Sequence, residues 1–248
     1  VTIPARLVEV LRSAKAVAVL TGAGISAESG VPTFRDAQTG LWAKYQPTEL
    51  ATPEAFRRDP QLVWDWYDWR RKTIAKVRPN AGHLALTRME RQLTTQGAQF
   101  TLITQNVDSL HQLAATHNVV ELHGNLYRVK CFAEDRPIEF WEAGEVTPPR
   151  CPECGGPLRP AVVWFGEALP SDAFNHALQA AAQCEVFFSI GTSSIVEPAA
   201  SLPRLALEYE AVVVEINPEE TPLTASAAYI LRGRAGEILP ELVKEVWG

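Results

Sequence analysis

The residues whose types and spacing can do chemistry fall in a few short runs. Gly22, Gly24 and Ala27 in "VAVLTGAGISA" satisfy the pattern G-x-G-x-x-G/A just after an apolar stretch. In such a turn the first glycine permits a tight bend and the second lets backbone approach a pyrophosphate. The third small residue lets a helix pack closely with its N-terminus toward the phosphates. The same residues also serve as a plain glycine-rich link between a strand and a helix. "TQNVDSLH" gathers two amides and a carboxylate, Gln105, Asn106 and Asp108, suited to a polar ligand or, for Asn106, to an Asx-type helix start. His123 in "ELHG" is either a general base or a structural hydrogen bonder. "VVWFGE", residues 162–167, reads on its own as a buried strand. Cys131, Cys151 and Cys154 cluster as reduced thiols or metal ligands, and Cys184 reads as a core thiol. In "WDWYDWRRK" a helix would put Tyr67 and Arg70 on one face at i, i+3. The plainer alternative there is a surface helix with Trp64, Trp66 and Trp69 inward and Arg70 and Arg71 solvated.

Something must bring these runs together. "VAVLTGAGIS", "FTLITQNVDSLH", "NVVELHGN", "CEVFFSIGTSS" and "AVVVEINPEE" share one grammar, a short apolar β-branched run ending abruptly in small or polar residues. Such runs fit strands buried on both faces of a parallel sheet. Helical patterns lie between them. One follows Asn80 as N-cap and stops at Gly97, and another is "PSDAFNHALQAAAQC" with Ser171 or Asp172 as cap. Alternation of this kind predicts a Rossmann-like, doubly wound α/β sheet whose strand ends, Gly22–Ser26, Gln105–Asp108, His123, Gly191–Ser194 and Asn217, converge on one crevice. Two pieces break the alternation. A helical insertion is expected over 34–77, and a small loop-built Cys-containing module over 125–160. The sheet domain then comprises 1–33, 78–124 and 161–248.

Composition narrows the function classes. The chain has 248 residues, 46% hydrophobic and 21% charged, enough to bury a substantial core. A formal charge of −6 without a Lys/Arg-rich run argues against a nucleic-acid partner. No apolar run approaches the roughly 20 residues that span a bilayer, and the N-terminal stretch lacks a signal-peptide core, so no membrane association and a cytoplasmic location are expected.

The blocks "GAGISAESGVPTFR", "TQNVDSLH", "ELHG", "VVWFGE", "GTSS" and "IN", in this order and spacing, resemble the sirtuin family of NAD-dependent protein deacylases from about Ala16 to Ala235. The resemblance implies that NAD is consumed as an ADP-ribosyl donor. The ribose-binding second strand of a dehydrogenase is then not needed, and "TGLWAKYQPTELATP" indeed shows no strand pattern. It implies that Gly22, Ala23 and Gly24 cradle the pyrophosphate and that Phe34 and Arg35 close over the nicotinamide ribose. Gln105, Asn106 and Asp108 would line the nicotinamide pocket, and Gly191, Thr192, Ser193, Asn217 and Ala235 the adenosine side. Val163, Trp164 and Phe165 would pair with the backbone of an acyl-lysine peptide. After nicotinamide leaves and the acyl oxygen captures the ribose carbon, His123 would deprotonate a ribose hydroxyl, which attacks the imidate. Water then releases lysine and acyl-ADP-ribose.

Three further expectations rest on the resemblance. Tyr67 and Arg70 match the pair that marks the desuccinylase and demalonylase branch, where a hydroxyl and a guanidinium meet a distal acyl carboxylate. The family's structural zinc sits on two C-x-x-C pairs, but here "KCFAED" has Glu134 where the second cysteine belongs. Three thiolates with Glu134, three thiolates with water, and no metal are the alternatives. A mono-ADP-ribosyltransferase or a non-catalytic NAD-sensing module could use the same cradle. His123 and "VVWFGE" together favour deacylation, and the oligomeric state stays open.

Overall fold

The computed structural model describes residues 2–32, 45–141 and 146–248, so Phe34 and Arg35 lie outside the described residues. Its centre is β1 (Ala16–Thr21), whose side chains alternate between two cores. Val17 and Val19 face one core, Ala18 and Leu20 the other, and all four are buried. A strand apolar on both faces has no solvated side, which forces it into the middle of a sheet. Its parallel neighbours are β2 (Gln99–Thr104) and, far along the chain, β7 (Val186–Ile190). Strand β3 (Val119–Glu121) extends one flank, and β8 (Val212–Asn217) and β9 (Tyr229–Arg232) the other, giving the order β3-β2-β1-β7-β8-β9 with parallel pairing throughout.

Helices cover both faces. On one, α1 (Ala5–Ser13), α6 (Ala81–Thr95) and α10 (Ala235–Trp247) bury Leu7, Leu11, Leu86, Met89, Leu239 and Leu242 against Val17, Val19 and Phe100. On the other, α8 (Ser171–Gln183) and α9 (Leu202–Glu208) set the small residues Ala177, Ala181 and Ala206 against Leu20, Phe187 and Val213. Each large apolar side chain buried this way contributes about 1.5–3 kcal/mol, more than helix propensity contributes per residue.

Local signals explain several boundaries. Asn80 caps α6 by accepting from the Gly82 and His83 amides, and Gly97, at φ +73°, follows its end. The expected caps Ser171 and Asp172 are instead the first residues of α8, and Pro170 holds the N-cap position without a side-chain hydrogen bond. There Asp172 places its charge in the first turn, where the helix dipole favours an anion.

A three-stranded antiparallel sheet, β5-β4-β6, accompanies the parallel one; it comprises β4 (Gly124–Cys131), β5 (Pro137–Ile138) and β6 (Leu158–Val162). Short helices α2 (Ala23–Ala27), α3 (Pro47–Leu50), α4 (Pro53–Arg58) and α7 (Leu110–Leu113) and the longer α5 (Pro60–Ile74) complete the described α-helices. Helix α5 starts at Asp59, whose carboxylate accepts from the Leu62 amide, with Pro60 at the first helical position. Its Trp66 and Tyr67 pack with Phe56, Leu126 and Trp164, while Trp64 packs with Val129 and Cys131. The solvated alternative for its arginines is not realised: the Arg71 guanidinium lies 4.7 Å from the Trp64 ring centroid and that of Arg70 lies 5.1 Å from Trp66.

Candidate active site

The C-terminal ends of the parallel strands open on a cavity of about 780 Å³, and the expected strand ends do converge there. Its floor is the crossing of two loops. The Gly22 amide donates to the Ile190 carbonyl and the Gly24 amide to the Gly191 carbonyl, at 3.0 and 2.8 Å. This crossing is so close that a Cβ on Gly191, which has φ +57°, would stand 2.6 Å from the Ile25 nitrogen. Only glycine fits such an approach. Gly22, Ala23 and Gly24 line the cavity together with Gly191, Thr192, Ser193, Asn217 and Ala235. Asn217 secures the loop after β7 by donating to the Thr192 carbonyl at 2.7 Å. Glu28 accepts from the Gly236 amide at 2.7 Å, tying the end of the glycine loop to the start of α10.

Gln105, Asn106 and Asp108 follow β2 directly. The Asn106 amide group donates to the Gly22 carbonyl at 3.0 Å and to Ser26 Oγ at 3.1 Å. Gln105 Nε2 donates to Thr192 Oγ1 at 2.9 Å. Asp108 is buried, and burial pushes its carboxyl above the ordinary carboxylate range, against the pull of the Leu110 amide that it accepts from. Asn106 is therefore a clamp on the glycine turn and not a helix start, since α7 begins at Leu110 with Ser109 at its N-cap. Ser26 and Glu28 were missed as positioning residues from sequence, although both stand in the "GAGISAESG" run.

His123 lies between β3 and β4, beside the cavity. Its neighbour Gly124 has φ +76°, and a Cβ there would meet the Ala161 carbonyl at 2.1 Å, so the glycine lets β4 close on β6 immediately after the histidine. His123 Nδ1 is 2.9 Å from the Gln105 carbonyl oxygen. A carbonyl only accepts, so Nδ1 carries the proton and Nε2 is left as the basic nitrogen. Burial holds the imidazole below its ordinary pKa, and the bond to Gln105 opposes that shift.

Tyr67 and Arg70 bound the same cavity from α5. Tyr67 Oη accepts from Trp164 Nε1 at 2.9 Å, and burial pushes the phenol up to about 12. Burial also lowers the Arg70 pKa, opposed by Tyr67 and Asp108. Val163, Trp164 and Phe165 line the cavity just past the end of β6, so "VVWFGE" is largely a turn and not a strand. Their amides are already donated, to the His123 carbonyl, a Glu167 carboxylate oxygen and the Ala51 carbonyl respectively. A peptide strand laid beside them would have to use carbonyls and the Gly166 amide.

The Cys131, Glu134, Cys151 and Cys154 donor atoms all lie within 4.8 Å of one another, with Cys131 and Cys154 sulfurs 3.4 Å apart. Tetrahedral zinc with thiolate bonds near 2.3 Å spaces its sulfurs by about 3.8 Å, so the four donors fit a structural zinc site. Arg136 contacts Glu134 at 3.2 Å and Glu153, and lies 4.0 Å from Cys151 Sγ. Cys184 is far from this chemistry, a buried thiol pushed up to about 12.

A model of the Sir2 family matches residues 22–198. NAD-dependent protein deacylase 1 of Pseudomonas aeruginosa is 47% identical over 97% of this chain and 98% of the relative. NAD-dependent protein deacylase 2 of Pyrobaculum aerophilum is 51% identical, over 96% of this chain and 94% of its own. A solved structure of a Sir2 homologue–NAD complex superposes with a TM-score of 0.90 at 46% identity, covering 99% of this chain and 94% of the other. A Sir2–p53 peptide–NAD+ complex gives 0.83 at 28% identity, covering 98% of each. With a family match over most of its length and relatives near half identical across nearly all of it, the chain belongs to the Sir2 family.

Proposed function

We infer that this protein is an NAD-dependent protein-lysine deacylase, and that acyl groups ending in a carboxylate, succinyl and malonyl, are among those it removes. The observation that carries the reading is that one cavity holds the glycine crossing, His123 and the Tyr67–Arg70 pair. The named activity of the relatives supports the coarser part, NAD-dependent deacylation. NAD would supply an electrophilic ribose carbon once nicotinamide departs.

The chain's own residues do the rest. Gly22, Ala23 and Gly24 offer backbone to the pyrophosphate beside the N-terminus of α2, and the loops bearing Gly191–Ser193, Asn217 and Ala235 enclose the adenosine. Gln105, Asn106 and Asp108 orient the nicotinamide carboxamide. His123, neutral and with Nδ1 tied to the backbone, takes a ribose hydroxyl proton on Nε2. Arg70 offers a planar fork to a carboxylate and Tyr67 an O–H donor, while acetyl presents only a methyl group there. The three thiolates with Glu134 would hold a zinc ion that crosslinks the small sheet and its loops.

The test is incubation of the protein with NAD and peptides carrying acetyl-, malonyl- or succinyl-lysine, read by mass spectrometry. Loss of the acyl mass, with release of nicotinamide, is the expected result. A peptide that gains the mass of ADP-ribose would replace this reading with ADP-ribosyl transfer. Removal of acetyl alone would refute the dicarboxylic part.

A further inference from the structure

Tyr67 has one hydrogen bond at its hydroxyl among the described residues, and it is the acceptor in it. Trp164 Nε1 has no other role than donor, so the 2.9 Å contact takes a lone pair of Tyr67 Oη and leaves the phenolic proton to point elsewhere. The neighbouring Arg70 guanidinium is also only a donor and cannot receive that proton. Tyr67 is 3% exposed, so bulk water is a poor substitute. A buried donor without an acceptor costs about 1–3 kcal/mol, which makes the arrangement favour a ligand that brings an acceptor to this point.

The indole itself has little freedom. The Arg159 guanidinium carbon sits 3.2 Å from the Trp164 ring centroid, and Phe56 packs at 5.3 Å. Arg159, 2% exposed, is in turn fixed by donating to the Val162 carbonyl at 2.7 Å and to Glu167 Oε2 at 2.9 Å. The same carboxylate oxygen accepts from the Trp164 amide at 2.8 Å, so one ion pair, its arginine buried and its carboxylate half-buried, locks both the backbone and the ring of Trp164.

We propose that Trp164 is a positioning residue for acyl selection, which fixes Tyr67 as a hydrogen-bond donor aimed at a terminal carboxylate of the acyl chain. This rests on the dicarboxylic reading of Tyr67 and Arg70 given above. An acyl group with a terminal methyl gains nothing from the directed proton, so the effect is read in the succinyl-to-acetyl ratio, which cancels any loss common to both peptides.

The experiment compares kcat/KM for succinyl- and acetyl-lysine peptides in the native enzyme, Trp164→Phe, Tyr67→Phe and the double variant. Trp164→Phe removes the indole N–H, and the succinyl-to-acetyl ratio is expected to fall roughly fivefold to tenfold, the scale of one net hydrogen bond. In the Tyr67→Phe background the same change should leave the ratio within about twofold, because the hydroxyl it acts through is gone. A ratio unchanged by Trp164→Phe, or lowered equally in both backgrounds, overturns the proposal while leaving the dicarboxylic reading intact. A native enzyme that removes only acetyl overturns both. Should Trp164→Phe not fold, benzothienylalanine at position 164 keeps the bicyclic shape with sulfur in place of N–H, and the same ratios decide.

Discussion

Acid should loosen the floor of the cavity through His83. This side chain is fully buried on the first turn of α6, where Nδ1 accepts from the Asn80 amide at 3.3 Å. Nε2–H therefore faces Ser26 Oγ, 3.4 Å away, beneath the glycine turn. A second proton would break the Asn80 contact and place a charge 4.8 Å from the His111 ring. Burial accordingly pushes His83 from 6.5 down to about 4. Below pH 6.5 the unfolded chain takes a proton that the folded chain refuses, so stability falls as pH drops, until about pH 4. At 1.36 kcal/mol for each tenfold change in proton affinity, the loss from His83 alone is about 3 kcal/mol, a large share of an ordinary domain's stability. His111, held well below its ordinary value by burial and by His83, adds to the slope. Urea unfolding followed by tryptophan fluorescence at pH 7, 6, 5 and 4 measures it. The native protein should lose stability steeply over that range, and His83→Gln, which cannot titrate, should lose about 3 kcal/mol less. Parallel pH profiles for the two proteins would refute the reasoning.

Arg70→Met should lower desuccinylation by about 2–5 kcal/mol in transition-state terms, the usual cost of truncating one partner of a buried charge pair, and deacetylation far less; equal losses in kcat/KM for both peptides would remove Arg70 from acyl recognition. His123→Ala should cost at least 10²–10⁴-fold in turnover with the fold retained, roughly the value of a general base. Because burial lowers the His123 pKa, the acidic limb of the native kcat/KM profile should fall below about 6.5, with activity lost as pH drops through it; a limb above that value would contradict a desolvated neutral base. Glu134→Cys should tighten zinc binding, measured by competition with a chromophoric chelator, since thiolate is the better structural ligand and Arg136 no longer competes for a carboxylate. Unchanged affinity would mean that Glu134 is not a ligand.

The sheet was legible because its strands are apolar on both faces and end in small or polar residues, a pattern set by local burial. The crevice followed from it, since parallel strands send all their C-terminal ends the same way. The individual contacts were not legible. Ser26 under Asn106, Arg159 stacked on Trp164 and the Trp164–Tyr67 bond join residues 80, 5 and 97 positions apart through packing that leaves no periodic trace. "VVWFGE" looked like a strand because its composition is β-prone. Glu167 turns it instead, accepting from the Trp164 amide while its own amide bonds the Trp164 carbonyl. Ser171 looked like a cap by residue type, but Pro170, one residue earlier, takes the N-cap position.

The place of β1 has a consequence for how the chain is assembled. Its first neighbour, β2, begins at Gln99, but its second, β7, begins at Val186. During synthesis this central apolar strand therefore waits with one edge unpaired until the segment between β2 and β7 has emerged. The glycine crossing waits with it, because Gly191 follows β7. Nascent chains halted before Val186 should be sticky and should have no dinucleotide cradle, and sequence-distant pairing of this kind folds slowly. The two sides of the glycine crossing thus come from segments far apart in the sequence, so a dinucleotide seated there would act as a late crosslink between β1 and α10.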